Sequence, residues 1–201
     1  HRALTEDISL RDLAIDMLGA PLTTDQPKII TSAEQELAED LSQIKVFDDT
    51  LRVLAEIKNA GIKIGIISNL ARPYGAAALE RLEGLEFDCI VFSYQAGLVK
   101  PQPDIYERFA ELVKCDVGEI LMVGDRQRND LVAPRAAGMQ SRLLNRTEVT
   151  RTEVTRTESL STSPSDTISS LIELLDLIDV SPRPPILGRE EEERRRHALE
   201  P

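Results

Sequence analysis

Hydrophobic positions in the first 46 residues recur at helical spacing. Leu10, Leu13, Ala14, Met17 and Leu18 are separated by threes and fours, which lines up one apolar helix face, and Gly19-Ala20-Pro21 then ends the helix. A second helix is expected from a Ser32 cap through Leu37 and Leu41, with Glu34 and Glu36 near its positive end. No strand signal interrupts this stretch. From Asp48 onward the pattern changes to helices alternating with short apolar runs.

Leu51, Val53, Leu54 and Ile57 predict a helix that stops at Asn59-Ala60-Gly61, with Asp48, Asp49 and Thr50 as its N-cap cluster. Lys63 to Ile67 reads as a buried strand rich in β-branched residues. Ala76 to Leu82 is helical, and Cys89-Ile90-Val91-Phe92 is a second strand. A helix over Asp104 to Lys114 leads to a third strand at Ile120-Leu121-Met122-Val123. A helix over Leu131 to Ala137 leads to a fourth at Ser141-Arg142-Leu143-Leu144. Ile168, Leu171, Ile172, Leu174, Leu175 and Ile178 predict a closing amphipathic helix. Strands separated by helices of this length imply βαβ units, hence an α/β fold with a parallel sheet covered on both faces.

Two segments break the alternation. Arg-Thr-Glu-Val-Thr occurs at 146–150 and again at 151–155, followed by Arg156-Thr-Glu-Ser-Leu160. A period of five fits neither a helix nor any solenoid unit, so 146–163 reads as a low-complexity, solvated insert. Residues 181–201 begin with Pro182-Arg183-Pro184-Pro185 and run into Glu–Arg pairs four apart, the pattern of a charged tail.

Composition narrows the function classes. The 201 residues carry 24 basic and 35 acidic side chains, a net charge of -11, with 3% aromatics and no tryptophan. Such a field repels phosphate backbones and offers few rings for bases to stack on, so nucleic acid is not an expected partner. No apolar run approaches the roughly 18 residues that span a bilayer, and no signal-peptide pattern is found. Cys89 and Cys115 lack any paired or metal-ligand spacing and read as reduced thiols of a cytoplasmic protein. The histidines, His1 and His197, are too far apart in sequence to suggest a zinc site or a triad.

Ligands of open α/β sheets bind beyond the carboxyl ends of the strands. The first strand there offers Ser68-Asn69, a hydroxyl and amides suited to a phosphoryl oxygen. The second is followed by Gly97-Leu98-Val99-Lys100-Pro101, which places an ammonium before a helix start. The third ends in Gly124-Asp125, with Asn129-Asp130 after it, two carboxylates of the kind that suit Mg²⁺. Singly, each has an ordinary structural reading as a helix cap or a solvated charge. In this order at successive strand ends they point to phosphate chemistry.

Ile66-Ile67-Ser68-Asn69, Gly97-Leu98-Val99-Lys100-Pro101 and Val123-Gly124-Asp125-x-x-x-Asn129-Asp130 resemble the second, third and fourth motifs of the haloacid dehalogenase-like (HAD) hydrolases. Ala136-Ala137-Gly138-Met139 extends the match, and the helical-cap branch, with its phosphoglycolate phosphatases and haloacid dehalogenases, is the nearest in pattern. The resemblance implies a Rossmann-like three-layer core over 47–180, with residues 1–46 as part of a small helical cap. It implies Mg²⁺-dependent phosphoryl transfer from a small phosphorylated metabolite, in which an Asp attacks phosphorus and a second Asp two residues on acts as general acid/base. By position, Ser68 would bind the phosphoryl oxygen and Lys100 would neutralise the developing charge, while Asp125 and Asp130 would serve the metal. Asn69 and Arg126 would contact substrate. Arg128, Arg72 and Tyr74 are further candidates for substrate contact, and the protein is expected as a monomer or homodimer.

The family's first motif, a strand ending in Asp-x-Asp, has no counterpart here. In Val46-Phe47-Asp48-Asp49-Thr50 the two Asp are adjacent, so strand alternation would point them to opposite sides. The resemblance places that strand at the sheet centre, between the strands ending at Ser68 and Asp125. The expectation is therefore a core with unpaired backbone groups, unless those strands pair directly or another chain fills the gap. The leading reading is a phosphatase whose nucleophile strand lies outside these residues. A homologue that kept the fold for binding or regulation is the alternative, and a dehalogenase reaction shares the surviving motifs.

Overall fold

The computed structural model describes residues 2–18, 26–146 and 163–178. The repeat beyond Arg146 and the charged tail lie outside them. Three helices come first: α1 (Arg2–Thr5), α2 (Leu10–Leu18) and α3 (Gln26–Ser42). The last starts six residues before the expected Ser32 cap. Pro27, in its first turn, presets the helical φ there, and Ser32 instead sits mid-helix with its Oγ 3.5 Å from Glu36.

Helix α4 (Thr50–Asn59) turns Val53 and Ile57 inward, one turn apart, and delivers the chain to strand β1 (Gly65–Ser68). Helix α5 (Arg72–Arg81) leads to β2 (Cys89–Phe92), which pairs parallel with β1 in the register Ile66↔Ile90 and Ser68↔Phe92. The short α6 (Ser93–Ala96) and the longer α7 (Pro103–Val113) follow. Helix α7 buries Ile105, Tyr106, Phe109 and Val113 along one stripe. Its last carbonyls, Val113 O and Lys114 O, accept from the Lys63 ammonium at 2.9 and 3.2 Å. Gly65 is required where α7 meets β1, because a Cβ there would lie 2.6 Å from the Phe109 ring and from the Cys89 carbonyl.

Strand β3 (Leu121–Gly124) pairs parallel with β4 (Gln140–Leu144), and β4 with the two-residue β5 (Thr167–Ile168). The expected helix over 131–137 is a π-helical turn over Gln127–Val132 running into the single-turn α8 (Ala133–Ala136). The expected closing helix is also revised. Ile168 belongs to β5, where its carbonyl accepts from the Asn145 amide at 2.8 Å, and only α9 (Glu173–Leu177) remains helical. Lateral pairing with β4 outweighs the helical spacing of 168–178.

The parallel α/β architecture is as read from the sequence, but it forms two sheets, β1-β2 and β3-β4-β5. Among the described residues no strand joins β1 to β3. One core face holds Ile67, Val91, Met122 and Met139 against α7; the other holds Val53, Ile57 and Ile64 of the α4–β1 segment against Leu171, Leu175 and Ile178 around α9. The first cluster takes Ile67 and Val91 from one sheet and Met122 from the other, which holds the two together.

Candidate active site

The carboxyl ends of β1 and β3 meet at one hydrogen-bonded knot around Lys100. Asn69, just past β1, uses both ends of its amide on this residue: its Nδ2 donates to the Lys100 carbonyl at 2.8 Å, and its Oδ1 accepts from the Lys100 N–H at 2.8 Å. The sequence suggested Asn69 as a substrate contact. In the structure these two bonds fix the backbone of Lys100, and each end of the amide has capacity for one further bond.

The Lys100 side chain runs inward. Its ammonium lies 2.6 Å from Asp130 Oδ1, with only 10% of the lysine and 3% of the aspartate side chain exposed. The other oxygen, Asp130 Oδ2, accepts from the Arg126 N–H at 2.9 Å. The π-helical turn brings this about, because it starts directly after Arg126 and folds Asp130 back over the end of β3. Gly124 makes room for it: a Cβ at that position would sit 2.5 Å from the Asp130 carboxyl carbon. From the other side, the buried Tyr106 hydroxyl donates to the Asn129 carbonyl at 2.5 Å and pins the turn to α7. Burial, and next the nearby negative charge of Asp130, hold the Tyr106 phenol well above the usual tyrosine range.

Asp130 was expected beside Asp125 as a metal carboxylate. Their surroundings differ. Asp130 is buried with both oxygens engaged, whereas the Asp125 side chain is 74% exposed, its Oδ2 3.7 Å from Arg126 Nε. Among the described residues no three acidic, histidine or cysteine side chains are grouped as metal ligands. Asp125 is the exposed carboxylate at the strand end, and a hard cation held there would need further oxygen ligands from substrate, water or other carboxylates.

Ser68 ends β1 half-buried at the same carboxyl edge. Arg126 keeps its side chain at the surface beside Asp125, while its backbone supports Asp130. Arg72 pairs with Asp7 at 3.1 Å, which ties the segment between α1 and α2 to the start of α5. Asp48 is exposed, and the expected N-cap cluster is not formed. Asp49 takes the cap position without a cap hydrogen bond, its carboxylate drawn away by a partner 97 residues downstream. Arg146 Nη2 and Nη1 reach Asp49 Oδ1 and Oδ2 at 2.8 and 3.0 Å, and the Ser170 Oγ and Leu171 N–H add bonds of 2.8 and 2.9 Å. The Arg146 guanidinium also lies 4.2 Å over the Phe47 ring.

A buried lysine–aspartate pair at the carboxyl edge of parallel strands, with a serine hydroxyl on the neighbouring strand end, can hold an anion and stabilise charge that develops on it. Residues 6–143 match the profile described as haloacid dehalogenase-like hydrolase. The chain belongs to the haloacid dehalogenase-like hydrolases. It is 30% identical over 138 residues to haloacid dehalogenase-like hydrolase domain-containing protein 3 of Danio rerio, covering 65% of this chain and 51% of that protein. It is 32% identical over 136 residues to a glyceraldehyde 3-phosphate phosphatase of Methanothermobacter thermautotrophicus, covering 66% and 59%. The chain thus spans between half and three-fifths of these two relatives. A HAD phosphatase from Thermococcus onnurineus superposes with a TM-score of 0.60 at 21% identity, over 85% of this chain and 71% of the other. A HAD-family enzyme from Bacteroides thetaiotaomicron, in complex with magnesium and inorganic phosphate, superposes at 0.53 with 17% identity, over 72% and 70%.

Four side chains of this region carry no local sequence signal for their roles. Tyr106 sits on the apolar stripe of α7 and reads as core, and Ser93, whose Oγ bonds both the N–H and the carbonyl of Leu70, reads as an ordinary strand-end serine. Asp49 and Arg146 meet only through the tertiary fold. The turn after Gly124 was the available cue for Asp130, since a glycine beside a polar turn marks a close approach.

Proposed function

We propose that this chain is the phosphate-handling part of a Mg²⁺-dependent phosphatase acting on a small phosphorylated metabolite. The observation that carries the reading is the buried Lys100–Asp130 pair at the carboxyl edge of the parallel strands. In this assignment Lys100 presents a fixed positive charge to the phosphoryl group, and the Ser68 hydroxyl donates to one of its oxygens. Asp130, Asn69 and the Arg126 N–H act by holding that lysine. Arg126 offers its guanidinium to the anionic substrate at the rim, and Asp125 is the carboxylate this chain contributes to the cation. Bound Mg²⁺ would supply neutralisation of the phosphoryl oxygens. The attacking aspartate belongs to a segment outside these residues, and the helices of 1–46 act as the part of a cap that borders the site.

The test is hydrolysis of p-nitrophenyl phosphate by a chain extended with a strand that ends in Asp-x-Asp. The expected result is Mg²⁺-dependent turnover that Asp125→Asn and Lys100→Met each reduce by at least about a hundredfold, the scale of losing one charge-stabilising group. Turnover indifferent to both substitutions would overturn the assignment.

A second reading, a non-hydrolytic relative that binds an anion, is favoured by one observation: Asp130 is consumed by Lys100 and the Arg126 N–H, leaving Asp125 without a second carboxylate. Phosphate binding by the chain that never becomes turnover, even with the extension in place, would establish it.

A further inference from the structure

We infer that Asp49, Phe47, Ser170 and the Leu171 N–H form a binding site for one arginine side chain, and that the chain can fill it in more than one register. Arg146 occupies it in the structure, and the opening arginine of a later repeat unit, Arg151 or Arg156, is the alternative occupant.

The site is built without the repeat. Asp49 and Phe47 come from the start of α4, and Ser170 and Leu171 from the approach to α9. The Ser170 Oγ and the Leu171 N–H both donate to Asp49 Oδ2, at 2.8 and 2.9 Å, so two donors orient the carboxylate whichever guanidinium faces it. The Asp49 side chain is 9% exposed, and the Phe47 ring offers a flat face with the guanidinium carbon 4.2 Å from its centroid. A planar fork set on a fixed carboxylate and stacked on a ring is a form of recognition that arginine meets and lysine does not.

What the site reads is the tip of the side chain. Arg146 meets Asp49 end-on, with Nη2 and Nη1 bonding the two oxygens at 2.8 and 3.0 Å, while its Nε is buried with no partner among the described residues. Side-on pairing would use Nε and fix the path of the side chain back to its own backbone. An unmet buried donor costs free energy, so the fit of Arg146 is not the best an arginine can make there. Its backbone adds no hold among the described residues. The β4–β5 ladder ends one residue earlier, where the Asn145 N–H donates to the Ile168 carbonyl at 2.8 Å.

The sequence supplies the other occupants. Residues 146–150 and 151–155 are identical, so Arg151 carries the same Thr-Glu-Val-Thr behind it as Arg146, and Arg156 is again followed by Thr-Glu. Moving the anchor from Arg146 to Arg151 lengthens the arc leaving β4 by five residues and still leaves sixteen from the anchor to Thr167. Closure entropy changes only with the logarithm of length, so this redistribution costs on the order of a few-fold in population. The spare arginines are tethered to the site, which gives them an effective concentration that a free ligand rarely reaches. A period of five suits no helix or strand face, but it presents one arginine per unit to a site that reads one arginine.

The test uses the NMR signals of hindered arginine guanidinium groups in the full chain. The site's own signal is the one lost in Asp49→Asn and shifted in Phe47→Leu. Arg146→Met is expected to keep a signal with both properties, because a later arginine takes the place. Arg146→Met combined with Arg151→Met and Arg156→Met is expected to abolish it, and most of the fall in urea midpoint is expected only in this triple variant. Arg151→Met with Arg156→Met alone should move neither the signal nor the midpoint. Loss of the signal in Arg146→Met, a midpoint as low as that of the triple variant, or failure of Arg146→Met to fold would each overturn the inference. So would a signal that returns only as protein concentration rises, which would put a second copy's arginine in the site. None of these readouts involves catalysis, so the arginine site and the phosphatase reading fail separately.

Discussion

Lys100 and Asp130 are 30 residues apart in sequence, and their charged ends are 2.6 Å apart in the fold, both nearly removed from solvent. Each charge is compensated by the other, and Asp130 has its second oxygen on the Arg126 N–H. A buried pair of this kind adds little over a well-packed apolar pair, but removing one member strands the other in a dry site. Asp130→Ala is therefore expected to cost about 3–5 kcal/mol of stability. The double variant Asp130→Ala with Lys100→Met should recover part of that loss, because no lone charge remains. Urea denaturation of the three proteins measures this. A loss below about 1 kcal/mol for Asp130→Ala would mean that the ammonium relaxes to water.

Gly124 should be intolerant of any side chain for a related reason. Its missing Cβ is the space in which the Asp130 carboxyl group lies, at 2.5 Å. Gly124→Ala must push that carboxylate, and with it Lys100, out of place at a cost of about 1–3 kcal/mol. The same substitution made on an Asp130→Ala background should be much milder, since the clashing group is gone. Equal penalties on the two backgrounds would place the strain elsewhere.

The contrast between what the sequence discloses and what it hides is visible in these same residues. The order of strands and helices from Asp48 to Leu144 follows from periodicity, because buried parallel strands are short apolar runs between amphipathic helices. Ser68 and Asp125 could be placed at strand ends from the sequence, because apolar runs end there in polar residues. Roles within the site were less legible. Asp130 and Asn69 carry types suited to metal and substrate, and only tertiary geometry shows that each also bonds Lys100. Ile168 fits a helical repeat equally well as a strand, and pairing with Leu144 decides it. The division into two sheets was not read from periodicity, which gives the strands and their parallel order but not which of them pair.

Tyr106 is the tether that holds the π-helical turn against α7. Its hydroxyl donates to the Asn129 carbonyl, and the ring is fully buried. Tyr106→Phe keeps the packing and leaves that carbonyl without its partner. A loss of about 1–3 kcal/mol is expected. The amides of the turn, Asn129 to Val132, should exchange faster than those of β2, because the damage is local. A uniform increase across all the core strands would instead mean that the tether supports the whole body.

The Asp49–Arg146 bracket gives the molecule an acid-sensitive joint away from the Lys100 knot. It ties the start of α4 to the residue after β4 and to the approach of α9, so one carboxylate holds three segments together. Burial acts to raise its pKa, but the bonds from Arg146, Ser170 and the Leu171 N–H outweigh this and bring it down from 3.8 to about 2. A carboxylate depressed on folding contributes stability that is fully present above its unfolded pKa and is lost as pH falls through its folded one. For Asp49 that window runs from about pH 4 to about pH 2, and the contribution at neutral pH is about 2 kcal/mol. Asp49→Asn should therefore be less stable than the parent by at least that amount at pH 7, and the gap should narrow as both proteins are taken toward pH 2. Taking the difference between the two cancels the other carboxylates held low by partners, such as Asp88, Asp166 and Glu173. Urea midpoints measured at intervals from pH 7 to pH 2 trace the curve. A gap that stays constant over that range would show that the bracket works through packing of Arg146 on Phe47 rather than through the charge of Asp49.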